Sequence, residues 1–424
     1  MSSNRYDVIV IGGGPAGATL ATLLARRGRR VVLLEKEHFP RFHIGESLLP
    51  CAMPLFRELG VLPELERRFL PKYAAEFVTA DGSVSRRYTF GQGLVPGAEM
   101  AFEVDRAEFD SVLLDNARAA GAEVRHGAQV TQFALSDECA RVSVRDSEGK
   151  TFELEAELLV DASGQQSLLA GRMGLRRMDP TLRNFSVFSH FTGAGRATGE
   201  REGDITVVLV PEGWWWVIPL RGDRTSVGLV APSSSLQGRK PDELYLMERI
   251  EGTPYLRERL RHASRVADVR AISDWSYASE RLVGDRWLLV GDAAAFIDPV
   301  FSTGVYLGMA AAFRAADVLE RALATRRFRR SEFVGYERWA KRGVAVYRDF
   351  VRGFYHPAFV EVLLQPSDWL SLRGAITSLL AGFGLDRFDV TWRVALFRLV
   401  ARLNRHIELA PRLPERRAGF SAMQ

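Results

Sequence analysis

Cysteine is nearly missing from this chain: Cys51 and Cys139 are the only two in 424 residues. They carry no metal-ligand spacing, which excludes a disulfide framework and a cysteine-bound zinc site, and they fit a reducing cytoplasm. Lysine is scarce too, confined to Lys36, Lys72, Lys150, Lys240 and Lys341, so arginine supplies most of the 57 basic residues. Against 52 acidic residues the formal net charge is +5. Basic runs such as RRFRR at Arg326–Arg330 read as a solvated helix face. No zinc-finger spacing or aromatic–basic platform argues for nucleic acid. No apolar run reaches the roughly 18 residues of a membrane span, so a membrane protein is not expected. Internal repeats and low-complexity linkers are absent. The strand-like run Tyr6–Ile11 follows no cationic start and no small-residue cleavage site, which argues against secretion. The composition, 47% apolar and 26% charged, is that of a globular protein. The length calls for two joined domains and an appendage; a monomer or a homodimer is expected.

What is present begins with a phosphate-binding signature. Val8–Ile11 is a short apolar strand, followed by Gly12, Gly13, Gly14, Pro15, Ala16 and Gly17 and then a helical pattern through Arg27. This is G-x-G-x-x-G between strand and helix. Gly12 permits the tight turn, Gly14 lets the backbone approach a pyrophosphate, and Gly17 allows close packing of helix on strand. The helix N-terminus then faces the phosphate charge. A second strand, Arg30–Leu34, ends in Glu35, placed to accept hydrogen bonds from a ribose hydroxyl. Much later, WLLVGDAA from Trp287 to Ala294 is another strand running into a Gly-Asp turn, ahead of an Ala-rich helix at Gly308–Leu319. It resembles the second FAD-contacting motif of glutathione-reductase-like flavoproteins, where the aspartate, here Asp292, meets the ribityl chain. Arg106, before an amphipathic helix, looks like the arginine such proteins place near the flavin. Asp161 ends a further strand, Ala156–Val160, that returns to the same sheet.

Between these signals the pattern changes. Asp204–Val210 and Thr225–Val230 alternate apolar and polar residues, as antiparallel strands do. The expected architecture is α/β: a discontinuous FAD-binding domain (1–71, 102–174 and 271–328), an inserted antiparallel β-sheet substrate domain (72–101 and 175–270), and a C-terminal helical region (329–424). The run GWWWVIP, Gly213–Pro219, is expected to face the cofactor from that sheet, because three indoles in succession suit a rigid site wall better than ordinary core. In Trp392–His406, Trp392, Leu396, Leu399 and Leu403 share one face and Arg398, Arg402 and Arg405 the other, which predicts core packing with a solvated arginine side.

Four motifs together resemble the flavin-dependent halogenases along most of residues 5–410. GWWWVIP fits that family's G-W-x-W-x-I-P, and FIDPVFSTG, Phe296–Gly304, fits its F-x-x-P-x-x-S-x-G. RFHIGES, Arg41–Ser47, resembles its flavin-flanking loop, and Lys72 in FLPKYAAEF aligns with its catalytic lysine. The resemblance implies FAD held by the glycine turn, Glu35 and Lys36, and by Arg41, Ile44, Glu46 and Ser47 of the loop. Further FAD contacts would come from Arg106, Val130, Asp161 and Asp292, and from Pro299, Gly304 and Val305. The flavin would arrive reduced, as FADH2, from a separate NAD(P)H flavin reductase. Oxygen and chloride or bromide would give hypohalous acid in a closed pocket, with the halide held by the amides of Thr303 and Gly304. Trp214, Trp216, Ile218 and Phe301 would wall the passage to Lys72. Tryptophan halogenases carry a glutamate where this chain has Phe301, so the resemblance favours phenols, pyrroles and other electron-rich groups, free or tethered to a carrier protein. Asp274 matches a position that binds flavin covalently in some relatives, with noncovalent FAD expected here. Two alternatives share the cofactor domain. An aromatic monooxygenase usually shows D-G-x-x-S-x-x-R, but the run from Asp161 reaches Ser167 and Leu168 with no arginine. A geranylgeranyl-type reductase would have no use for Lys72 or GWWWVIP.

Overall fold

The computed structural model describes residues 5–365, 368–384 and 387–413. Residues 1–4 of the expected cofactor domain and 414–424 of the expected helical region lie outside the described residues. The glycine signature sits where a parallel sheet begins. Strand Arg5–Ile11 pairs in parallel with Thr151–Asp161 on one side and Val31–Leu34 on the other. Trp287–Leu289 and Glu123–Arg125 extend the sheet at its two sides, also in parallel. Val8, Ile9 and Val10 are all buried, as a strand covered on both faces requires. Pro15 opens helix Pro15–Arg26, where its fixed φ suits the first helical position and its missing N–H costs nothing. That helix packs on Gly304–Thr325, the Ala-rich helix expected from Gly308, which starts four residues earlier and runs further.

The second large sheet runs in the order Ser264–Arg265, Asn184–Thr192, Arg224–Pro232, Trp214–Pro219, Ile205–Leu209, Ala74–Thr79 and Ser85–Thr89. Its pairing is antiparallel as expected, with one correction. Ile205–Leu209 runs parallel to Ala74–Thr79, with Ile205 opposite Ala75. The two segments come from distant chain passages, and alternation along a strand carries no information about its neighbour's direction. The period of two puts Trp214, Trp216 and Ile218 on one face of the sheet and Trp215 and Val217 on the other. Trp215 packs with Tyr245, Leu246 and Ile250 beneath the sheet, on the face opposite Trp214 and Trp216. Lys72 lies outside this sheet, in a ribbon where Leu70–Lys72 pairs with Ala101–Glu103.

Helices Val334–Phe354, Pro357–Leu364, Leu372–Leu380 and Phe388–Leu403 form the C-terminal region. Among the described residues no helix is long and apolar enough to cross a membrane. The expected core face of the last helix is wrong. Val390, Val394, Phe397 and Ala401 are its buried residues, whereas Leu399 and Leu403 are 49% and 45% exposed. Phe397 is drawn inward by Phe359, with ring centroids 5.0 Å apart, and by Phe350 at 6.1 Å. Aromatic packing against the neighbouring helices decided the face, and Leu399 and Leu403 were left outside.

Candidate functional site

A cavity of about 650 Å³ lies between the two sheets, bounded by the glycine turn at one end and the tryptophan strand at the other. The turn is built to be approached closely. Gly12 has φ +101°, and a Cβ there would lie 2.4 Å from Ala162 O. A Cβ on Gly17 would lie 2.0 Å from Gly12 O, so Gly17 serves packing and does not itself line the cavity. No side chain caps the first helix at Gly14, leaving its amides for a phosphate. Glu35, buried at the end of its strand, accepts from the N–H of Gly13 at 2.7 Å and of Glu37 at 2.9 Å. Lys36, Pro15 and Ala16 line the same end.

The loop from Arg41 to Ser47 forms one wall, held by Arg106. That guanidinium forks onto Asp110 at 2.8 and 3.0 Å and donates to Ile44 O at 2.8 Å. Arg41, Ile44, Glu46, Ser47, Arg106 and Val130 all reach the cavity. So does Asp292, whose carboxyl burial pushes up to about 6 while Arg106 pulls it down. Asp161, expected to touch the cofactor, does not line the cavity. Its two carboxylate oxygens accept from the N–H groups of Ser163 at 2.9 Å and Leu169 at 2.7 Å, so it ties down the loop that follows its strand.

At the other end, Pro299–Phe301 makes a single tight turn and Ser302 a left-handed step with φ +55°, after which helix Gly304–Thr325 begins. Pro299, Thr303, Gly304 and Val305 line the cavity, and Thr303 makes no side-chain cap. Asp298 fixes the turn. One oxygen accepts from Val300 N–H at 3.1 Å, the other from Asn184 at 3.2 Å and Tyr355 at 2.8 Å. Burial pushes that carboxyl up to about 6. Trp214 donates to the Tyr355 hydroxyl at 3.2 Å, and Trp216 to Ser226 at 3.0 Å, so neither indole is left unpaired. Trp214, Trp216 and Ile218 line the cavity. Phe301 does not, because its ring turns into the helical region, 4.9 Å from Phe350 and 5.6 Å from Phe354.

Lys72 is buried just behind Ser47 and does not line the cavity. Its ammonium donates to Ser47 Oγ at 2.7 Å and Leu48 O at 2.9 Å and lies 5.4 Å from the Phe90 ring centre. Ser47 in turn donates to Glu103 Oε1 at 3.1 Å, which is 3.9 Å from Lys72 Nζ. Burial drives the lysine down and the carboxyl up. Beside them, Glu46 meets His190 at 2.6 Å. Neither Glu103 nor His190 belongs to a motif. The available signal was a polar side chain among strand residues that fold inward, Glu103 in AFEV and His190 between Ser189 and Phe191.

A tight glycine cradle, open helix amides, an acid at the end of the second strand and an aspartate on the cavity wall fit an adenine dinucleotide flavin. The family model for an FAD-binding domain matches residues 5–330. The chain is 33% identical over 381 residues to a 1H-pyrrole-2-carbonyl-[peptidyl-carrier protein] chlorinase of Pseudomonas fluorescens, covering 84% of each chain. It is 32% identical to the corresponding brominase of Pseudoalteromonas luteoviolacea, over 90% of this chain and 93% of that one. A tryptophan 2-halogenase of Chondromyces crocatus is 36% identical over 75% of this chain and 61% of its own. Among solved structures, the flavin-dependent brominase Bmp2 superposes with a TM-score of 0.84 at 28% identity, covering 95% of this chain and all of that one. The protein is thus an FAD-binding flavoprotein. More narrowly, it belongs to the flavin-dependent halogenases.

Proposed function

We propose that this enzyme halogenates an electron-rich ring, a pyrrole or phenol presented on a carrier protein, with Lys72 as the carrier of the halogen. The supporting observation is the place of Lys72. It is 1% exposed, whereas the other four lysines lie at the surface, and its hydrogen-bond partner Ser47 lines the cofactor cavity. A buried amine loses proton affinity and gains nucleophilicity, which arginine cannot match. FAD, delivered reduced by a separate flavin reductase, would supply with dioxygen the oxidant that turns chloride or bromide into hypohalous acid.

The chain's own residues would do the rest. The amides of Thr303 and Gly304, at the positive end of a long helix, would hold the halide. Trp214, Trp216 and Ile218 would keep the organic substrate from the cofactor and confine the oxidant. The Lys72 amine would take the halogen and present it to the ring. The parallel sheet with the glycine turn would serve as the cofactor domain and the tryptophan-bearing sheet as its cover. The carrier-bound substrate is supported by the two pyrrolyl-carrier-protein enzymes named above. Free tryptophan is supported by one relative, but the acid expected of tryptophan halogenases is here Phe301, packed into the helical core. The deciding assay combines the purified protein, a flavin reductase, halide, and a panel of free and carrier-bound pyrroles and phenols beside free tryptophan. Halogenated product only with carrier-bound rings is expected. Turnover of free tryptophan alone would overturn the assignment.

A further inference from the structure

We propose that Glu103 is a positioning residue for Lys72: the two rest as an ion pair bridged by the Ser47 hydroxyl, and Glu103 stores the lysine's proton while the nitrogen carries halogen. This rests on Lys72 being the halogen carrier. A nitrogen that must alternate between ammonium and halogenated amine inside a closed site has to put its proton somewhere. The geometry supplies one route. Lys72 donates to Ser47 Oγ at 2.7 Å, and Ser47 donates to Glu103 Oε1 at 3.1 Å. A shift of both protons along this line turns ammonium and carboxylate into amine and carboxylic acid with no exchange with water. Glu103 is fully buried and its Oε2 has no hydrogen-bond partner, so its charge is poorly solvated and it is a ready proton acceptor. Burial acts oppositely on the two groups, drawing their proton affinities together.

Other charges face the pair. Glu46 stands on the same loop as Ser47, engaged with His190 at 2.6 Å. Asp204 lies before the strand Ile205–Leu209 and is held by Arg87 at 2.6 Å. Cys51 is the remaining titratable neighbour of Lys72, and burial pushes its thiol up, which keeps it neutral. Glu103 is thus the carboxylate joined to Lys72 by a continuous hydrogen-bond path.

The steps balance. After the shift, the amine lone pair attacks the halogen of hypohalous acid, the N–halogen bond forms and the O–halogen bond breaks. The departing hydroxide takes a proton from that nitrogen and leaves as water. The ring then attacks the halogen, the N–halogen electron pair returns to nitrogen, and nitrogen picks up the ring proton. Glu103 finally gives its stored proton back through Ser47.

Five lysines make the test direct, since the Lys72 Nζ resonance of ¹⁵N-lysine-labelled protein can be assigned by its loss in Lys72→Arg. Glu103→Gln removes the negative neighbour, so the Lys72 titration midpoint should fall by about two units or more, and Glu103→Asp should largely restore it. Halogenation should be flat with pH in the wild type over the range where Lys72 is charged. In Glu103→Gln it should instead rise as Lys72 deprotonates. Retained FAD identifies a folded variant; if the glutamine variant does not fold, the Glu103 carboxyl resonance of the wild type carries the test, since it should titrate in step with Lys72 Nζ and independent titration would overturn the proposal. A Lys72 midpoint unmoved in Glu103→Gln, or equal pH profiles in the two proteins, would overturn the proposal. Normal halogenation by Lys72→Ala would instead sink the role of Lys72 itself, whatever the resonance shows.

Discussion

A buried lysine in a chain that uses arginine almost everywhere asks for a reason that charge alone does not give. Arginine at position 72 would keep a cation near Glu103 but stays protonated, and so has no lone pair to offer a halogen. Lys72→Ala and Lys72→Arg should therefore each cut halogenated product by about 100-fold or more, the scale of losing a positioned reacting group. Oxygen consumption by reduced FAD should persist in both, because the flavin-contacting residues are untouched. Product formation within a few-fold of wild type in Lys72→Ala would require another halogen carrier. A second expectation at this scale concerns the halide. Thr303 and Gly304 open a helix with no side-chain cap, on the cavity wall. Crystals soaked in bromide should give an anomalous peak within contact of those two amides, and its absence at adequate occupancy would count against the halide site. Lys72 could be singled out in the sequence because a motif surrounds it, and the structure buries it. Glu103, Ser47's partner, was not, because a carboxylate in a short apolar strand becomes informative only once folding places it against a lysine.

Elements were legible where one physical constraint acted alone. The tryptophan strand has one face on the cavity and the other on a separate core, so its period of two could be read directly from Trp214, Trp216 and Ile218 against Trp215 and Val217. The parallel run of Ile205–Leu209 beside Ala74–Thr79 was not readable, since direction is set by the path of the chain. The last helix misled because two apolar stripes competed, and Phe397 was selected by its aromatic neighbours on other elements. The same dependence on neighbours gives a test of the wall. A Cβ on Gly228, opposite Trp216 in the adjoining strand, would lie 2.2 Å from the indole and 2.6 Å from Phe188 Cβ. Gly228→Ala should therefore cost about 1–3 kcal/mol, as overpacking does, and should displace Trp216. Thermal melting would register the first effect. The second should appear as looser coupling, with more oxygen consumed per halogenated product. An unchanged melt and unchanged coupling would mean that the wall yields without consequence.

Across the whole molecule, nucleotide recognition is concentrated at a single place. One glycine fingerprint, Gly12–Gly17, stands between a parallel strand and its helix, and the cavity it opens into is shared with Asp292 and the turn at Thr303. The family model for FAD binding covers that fingerprint and the second flavin motif together, so the flavin takes the site. No second complete fingerprint, with its own close-approach glycines at a strand–helix junction, occurs in the sequence to hold a nicotinamide cofactor beside the flavin. The enzyme should therefore reduce its own flavin slowly. Under anaerobic conditions, NADH or NADPH alone should bleach bound FAD only over many minutes, with or without the aromatic substrate. Adding a separate flavin reductase should restore rapid reduction and, once air is admitted, halogenation. Stopped-flow absorbance of the oxidised flavin measures this directly. Fast reduction by NAD(P)H that quickens when substrate is present would mark a self-contained hydroxylase cycle, and the dependence on a partner reductase would then have to be abandoned.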